Sequence, residues 1–172
     1  DESGPFGYLA EKASTNLAIQ SEDFTTSWLV NASTVVANAA VAPDGTTTMD
    51  KIEETATTNS HMVYQNRTGG GGVPYTFSAY IKAGERGFAM LLLNDYGTGG
   101  FGQRQAIFDL STGAVGTVSA GLTTAVEELP NGIYRCSITF TPLSSTNWNT
   151  QIGAAISSSS ANYLGETGKG VY

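Results

Sequence analysis

One histidine, one cysteine and fifteen acidic residues are the groups in this chain that could do acid–base or nucleophilic work. His61 could deprotonate a serine or Cys136, but no nucleophile-elbow pattern accompanies it. It reads instead as an edge or surface histidine. Cys136 shares a face with Tyr134, Ile138 and Phe140, which marks a buried structural thiol. Glycoside hydrolysis needs two carboxyl groups facing each other across a cleft, one of them with a raised pKa. In Glu53-Glu54 and Glu127-Glu128 the acids are adjacent, so on a strand they leave opposite faces and make no dyad. The glycines of 69–72 and 97–102 lack the lysine and serine of a phosphate loop and its strand–turn–helix setting. Catalysis therefore finds no positive support.

Binding is better served. Sugars present C–H patches and hydroxyls, and proteins hold them with an aromatic platform flanked by donors and acceptors. On the stretch Tyr75 to Lys82, Tyr80 and Lys82 lie opposite the apolar face. Arg135 points outward from Ile133–Phe140, and the stretch Gln103 to Asp109 offers either Gln103 and Gln105 or Arg104. An arginine fork holds vicinal hydroxyls, or a uronic carboxylate bidentately. The plain alternative is that Tyr80 and Arg135 cover a sheet as a cross-strand pair. Gln65 is a weaker candidate. Trp148, inside Ser144–Asn149, either caps the fold or offers a stacking platform. Tyr96 and Phe101, with Asp95 beside them, form a second aromatic group, and Trp28 reads first as a core or sheet-edge plug. If Lys82, Arg104 and Arg135 converge, they favour an acidic glycan despite the net charge of -7; otherwise a neutral one held by stacking is expected.

The elements that must carry these residues are strands. Charged residues are only 13% of the 172, while Ser, Thr, Gly and Asn are abundant, which excludes a helical bundle. Eight basic residues, scattered singly, make no nucleic-acid footprint. No run approaches 18 apolar residues, so no membrane insertion is expected. Strict alternation appears in Tyr75–Lys82, where Tyr75, Phe77, Ala79 and Ile81 share a face, and in Ile133–Thr141. Further strands are expected over 34–42, 50–54, 61–66, 88–94, 103–109 and 151–156, with weaker ones over 115–119 and 123–129. Pro43-Asp44-Gly45 and Pro130-Asn131-Gly132 are turns. Nine or ten strands with regular turn signals and one-sided alternation predict an all-β fold, a two-sheet antiparallel β-sandwich of the jelly-roll kind, over a single domain 1–172. The start without methionine and the alternation beginning at Gly170 read as a piece of a longer protein.

An ordered set of short motifs carries a resemblance. It comprises Thr15-Asn16-Leu17; Ser21-Glu22-Asp23-Phe24 with Trp28; Ala42-Pro43-Asp44-Gly45-Thr46-Thr47; Tyr75 through Ala83; Phe108 through Gly113; Asn131 through Cys136; and Gly170-Val171-Tyr172. Together they resemble the carbohydrate-binding jelly-roll modules of phage and viral tail proteins and of polysaccharide-active proteins. The resemblance implies a galactose-binding-like fold, non-catalytic binding of a polysaccharide or glycan, an extracellular or virion-associated setting and a parent protein that can oligomerise. The competing expectation is a structural or oligomerisation domain of a viral appendage. Such modules often carry structural calcium, for which Glu22, Asp23 and Asp50 supply candidate oxygens together with the terminal backbone.

Overall fold

The structure, a computed structural model, describes residues 15–97, 99–143 and 147–172. Its described residues form strands β1 (Leu29–Asn31), β2 (Ser33–Ala40), β3 (Met49–Glu54), β4 (Thr58–Asn59), β5 (Met62–Arg67), β6 (Tyr75–Lys82) and β7 (Phe88–Asp95). These are followed by β8 (Gly102–Asp109), β9 (Val115–Val118), β10 (Thr123–Leu129), β11 (Ile133–Phe140), β12 (Trp148–Ala155), β13 (Tyr163–Leu164) and β14 (Gly170–Val171). The all-β expectation holds, and every strand pair is antiparallel. Among the described residues no helix is long and apolar enough to cross a membrane.

One layer is a six-stranded sheet in the order β1-β5-β12-β7-β8-β9. The other is assembled from two three-stranded sheets, β10-β11-β6 and β14-β3-β2. They are joined at a single place. Ala83 bridges Val171, and Lys82 and Tyr172 exchange backbone hydrogen bonds of 2.8 and 2.9 Å. Alternation fills the space between the layers. From the six-stranded sheet come Val63, Leu91, Leu93, Ala106, Phe108 and Ile152; from the opposite layer come Ile52, Ile81, Cys136, Ile138, Phe140 and Val171. Each large side chain so buried contributes roughly 1.5–3 kcal/mol relative to exposure. Phe77 lies on the expected face but is only partly buried at the margin of this core.

The strongest alternations become the most regular pairing. β6 and β11 run together over eight residues, with Phe77 opposite Ile138 and Tyr80 opposite Arg135. β10 and β11 are joined at Pro130–Gly132, where Asn131 (φ 67°) and Gly132 (φ 69°) are both left-handed, a conformation that Asn and Gly tolerate best.

Two expectations change. The strand expected from Gln151 begins at Trp148, and all eight of its residues are buried in this central strand between β5 and β7. His61 is fully buried rather than on an edge or surface. Its Nδ1 lies 2.6 Å from the carbonyl of Ala32, and its Nε2 lies 3.3 Å from that of Tyr163. It has no serine or cysteine hydrogen-bond partner among the described residues, so the histidine serves to fasten distant backbone segments.

At one end of β3 a buried ion pair closes the structure. Glu54 receives Arg86 through Nε at 2.6 Å and Nη2 at 2.8 Å, and also accepts the Tyr163 hydroxyl and the Glu166 amide. Burial alone pushes this carboxyl up; the four donors outweigh it and hold the group at about 2.

Candidate functional site

The outward face of the six-stranded sheet is divided in two. Its lower half is apolar: Met90, Leu92, Ile107 and Ala155, with Met62 and Phe88 alongside, pack against Ala161 from the segment that follows β12. The upper half is a row of amides in direct register. Asn66 on β5 opposes Asn149 on β12, Asn149 opposes Asn94 on β7, and Asn94 opposes Gln103 on β8. A second row beneath it runs Tyr64, Gln151, Leu92 and Gln105.

Three inter-strand spacings make the upper row about 14 Å long. Amides carry both donors and acceptors, which suits hydroxyl groups that also do both; Asn66 and Gln103 are exposed and Asn94 half-buried, while Asn149 between them is buried. Internal bonds fix part of the row. Gln151 Nε2 donates to Asn149 Oδ1 at 2.7 Å, and the Tyr96 hydroxyl donates to Asn66 Oδ1 at 3.2 Å. The Gln151 Oε1 atom is buried without a hydrogen-bond partner. A hollow of about 290 Å³ lies at the boundary between the two halves, lined by Leu92, Gln103 and Gln105 on the sheet and by Ser159, Ser160 and Asn162 on the covering segment. The site thus has a polar floor, a serine-rich wall and an aromatic flank at Tyr96, which is half exposed.

The sequence-predicted residues divide between two surfaces. Tyr80, Lys82 and Arg135 do share the outer face of the opposite layer, and Tyr80 and Arg135 are cross-strand partners. Arg135 lies 3.8 Å from Glu127, its neighbour on β10. Toward the other end of β6 and β11 that face carries small hydroxyl side chains, Thr76 bonding Thr139 at 2.8 Å and Ser78 opposing Ser137. Tyr80 therefore stands there without a second aromatic.

Arg104 is elsewhere. It pairs with Leu93 on β8, so it turns toward the interior side of the other sheet and lies over the Phe101 ring at 3.8 Å. Lys82, Arg104 and Arg135 do not converge, which removes the ground for preferring an acidic glycan on the outer faces. Gln103 and Gln105 take the outward positions that Arg104 does not.

Trp148 is 2% exposed and packs with Tyr75 and Phe140, ring centroids 5.1 and 5.4 Å away. It is a core residue and not an exposed stacking platform; Ser144–Thr146 lie outside the described residues. Trp28 is also in the core, edge-on to Phe24, with its indole N–H donated to the Gln20 carbonyl at 3.0 Å. Gln65 is structural, bonded to the backbone of Ile19 and Ser27. Phe101 is partly buried under Arg104.

Of the calcium candidates, Asp23 and Asp50 are engaged in bonds to their own chain. Asp50 is buried, and its two oxygens accept the amides of Phe24 at 2.8 Å and Asn38 at 3.0 Å. Asp23 closes a local turn by accepting from Thr25 and Thr26, and these bonds hold its carboxyl below the usual range. Among the described residues no three His, Cys, Asp or Glu side chains gather as metal ligands do.

Asn66, Asn94, Asn149, Gln151 and Tyr64 were not singled out from the sequence. The signal available was parity: Met62, Tyr64 and Asn66 alternate with Val63, Gln65 and Arg67. No protein-family model matches the chain, and a search of curated proteins finds no match either.

Proposed function

We propose that this domain is a non-catalytic glycan-binding module whose ligand lies along the outer face of the six-stranded sheet. The observation that carries the reading is the in-register row Asn66, Asn149, Asn94 and Gln103 across four strands. A rigid sheet holds these amides in place before any ligand arrives, which lowers the ordering cost of binding. Tyr96 at one end supplies a ring on which a sugar C–H patch can rest. The row carries no formal charge, so the ligand is a neutral glycan.

The strand order is compatible with a jelly roll. The strands β5-β12-β7-β8 face β3-β14-β6-β11 across the core; β3, β5, β6 and β7, and later β11, β12 and β14, alternate between the layers, while β7 and β8 pair within one. With the motif resemblance, this favours a galactose-binding-like module on an extracellular or virion-associated protein.

The test is affinity electrophoresis and calorimetry across a broad panel of neutral and acidic polysaccharides. Retention of at least one neutral glycan is expected. Asn94→Ala, Gln103→Ala and Tyr96→Ala should each weaken it about five- to tenfold, the worth of a hydrogen bond or a stacked ring. Tyr80→Ala, on the opposite layer, should leave it unchanged. No retention on any glycan, or a loss confined to Tyr80→Ala, overturns the reading.

A further inference from the structure

Among the described residues the two halves of the second layer meet only at their Lys82 and Val171 ends. Away from that junction, Tyr75–Tyr80 of β6 and Met49–Asp50 of β3 line opposite parts of one opening. The opening leads between the layers to the inward face of β5 and β12. It is a cleft of about 930 Å³, lined by Phe24, Trp28, Tyr75, Phe77, Phe140 and Ile152 among others. That volume is within the range of about 300–1,000 Å³ common for small-molecule sites.

Three polar atoms on its floor are unusual. Arg67 Nη2, Trp148 Nε1 and Thr150 Oγ1 are all buried, and none has a hydrogen-bond partner. The residues are 8%, 2% and 4% exposed. They form one patch: Arg67 on β5 is the direct cross-strand partner of Trp148 on β12, and Thr150 lies two positions along the same face. Directly opposed side chains in such a pair start about 5 Å apart. Arg67 also packs over the Trp28 ring at 5.8 Å, which fixes the guanidinium in the cleft wall. No carboxylate of the described residues lies within ion-pair distance of it.

The chemistry of this patch is one-sided. Arginine and the indole N–H can only donate, and the threonine hydroxyl is free to do so. Each buried group left unmatched costs roughly 1–3 kcal/mol. Three such groups side by side need a ligand that brings acceptors and no donors. A carboxylate meets this need with two oxygens, and its plane suits the guanidinium fork.

The charges of the lining narrow the choice further. Glu22, Asp44 and Asp50 also line the cleft, with Arg135 the other cation. One unpaired arginine and three acids in the same lining favour a single negative charge over a doubly charged phosphate. The aromatic walls would hold a flat or ring-shaped body behind the charge.

We propose that this cleft is a binding site for a small organic carboxylate carried on a ring, with Arg67, Trp148 and Thr150 as its anchors. It is separate from the amide row, which lies on the other face of β5 and β12. It also does not depend on the glycan reading.

The test is an NMR titration of the nitrogen-15-labelled domain. The probes are glucuronate, benzoate, inorganic phosphate and neutral glucose. The Trp148 indole resonance should shift saturably with glucuronate, benzoate or both, which separates a sugar acid from an aromatic acid. The Trp28 indole, already bonded to the Gln20 carbonyl, is the internal reference. Arg67→Gln should weaken binding about ten- to a hundredfold, the worth of a charged hydrogen bond. Thr150→Val keeps the side-chain volume, tests the same patch if Arg67→Gln does not fold, and should weaken binding several-fold. The proposal is overturned if neither carboxylate moves the Trp148 indole at millimolar concentration, if phosphate or glucose binds as well as they do, or if a folded variant of either kind retains the affinity.

Discussion

Replacing Arg86 by methionine would remove the only arginine that reaches the buried carboxylate of Glu54. Glu54 is 1% exposed and accepts from two guanidinium nitrogens, a tyrosine hydroxyl and a backbone amide. Its carboxyl is held at about 2 against an ordinary 4.5. At about 1.4 kcal/mol for each pH unit of that difference, the ionised pair contributes roughly 3 kcal/mol to folding. The contribution is fully present above the unfolded value of about 4.5 and disappears as pH falls from there toward about 2. Removing one partner leaves an uncompensated buried charge, so Arg86→Met should cost about 3–5 kcal/mol at pH 7. In the variant burial acts with less opposition and raises the carboxyl. The stability gap between variant and parent should therefore narrow as pH is lowered from 7 to 4, where the variant's Glu54 neutralises. Urea unfolding at several pH values reads both effects. A loss below about 1 kcal/mol, or a gap that stays constant over that pH range, would refute the assignment of this pair as a buried, charge-dependent clamp.

Two further outcomes follow from the core. Cys136 is fully buried, and burial pushes its thiol up to about 12. Iodoacetamide at pH 8 should label it only as fast as the domain opens, and promptly in denaturant; rapid labelling of the folded protein would contradict its placement. Phe108 is wholly enclosed whereas Phe77 is at the core margin, so Phe108→Ala should cost about 3–5 kcal/mol and Phe77→Ala clearly less. Equal losses in equilibrium unfolding would mean that the margin is packed as tightly as the centre.

How much of this could be read beforehand depended on how many faces of a strand meet solvent. β6 and β11 were legible because one face is wet and the other dry, so composition alternates with side. β12 was not. It is a central strand between β5 and β7, and Asn149, Thr150 and Gln151 are buried beside Trp148, so polarity no longer reports direction. The same polar neighbours made Trp148 look like part of a loop. Arg104 and its flanking glutamines left two parities open, and only pairing with Leu93 decided between them. His61 was hidden for another reason. The carbonyls of Ala32 and Tyr163 that enclose it come from positions 29 and 102 residues away. The amide row is likewise a product of register among four strands, a quantity no single segment encodes.

The junction between β6 and β14 also sets a timetable. Protein synthesis delivers Lys82 about 90 residues before Tyr172, its backbone partner. At about 5–20 residues per second the interval is roughly 5–20 s. Throughout it β3 and β6 exist without the strand that joins them, and their edges and the apolar side chains behind them lack cover. Such edges readily pair with other chains. The growing polypeptide must therefore be kept apart from its neighbours on the polysome until Gly170 to Tyr172 have emerged. A ribosome that stalls just short of those residues would release two half-sheets with no seam between them.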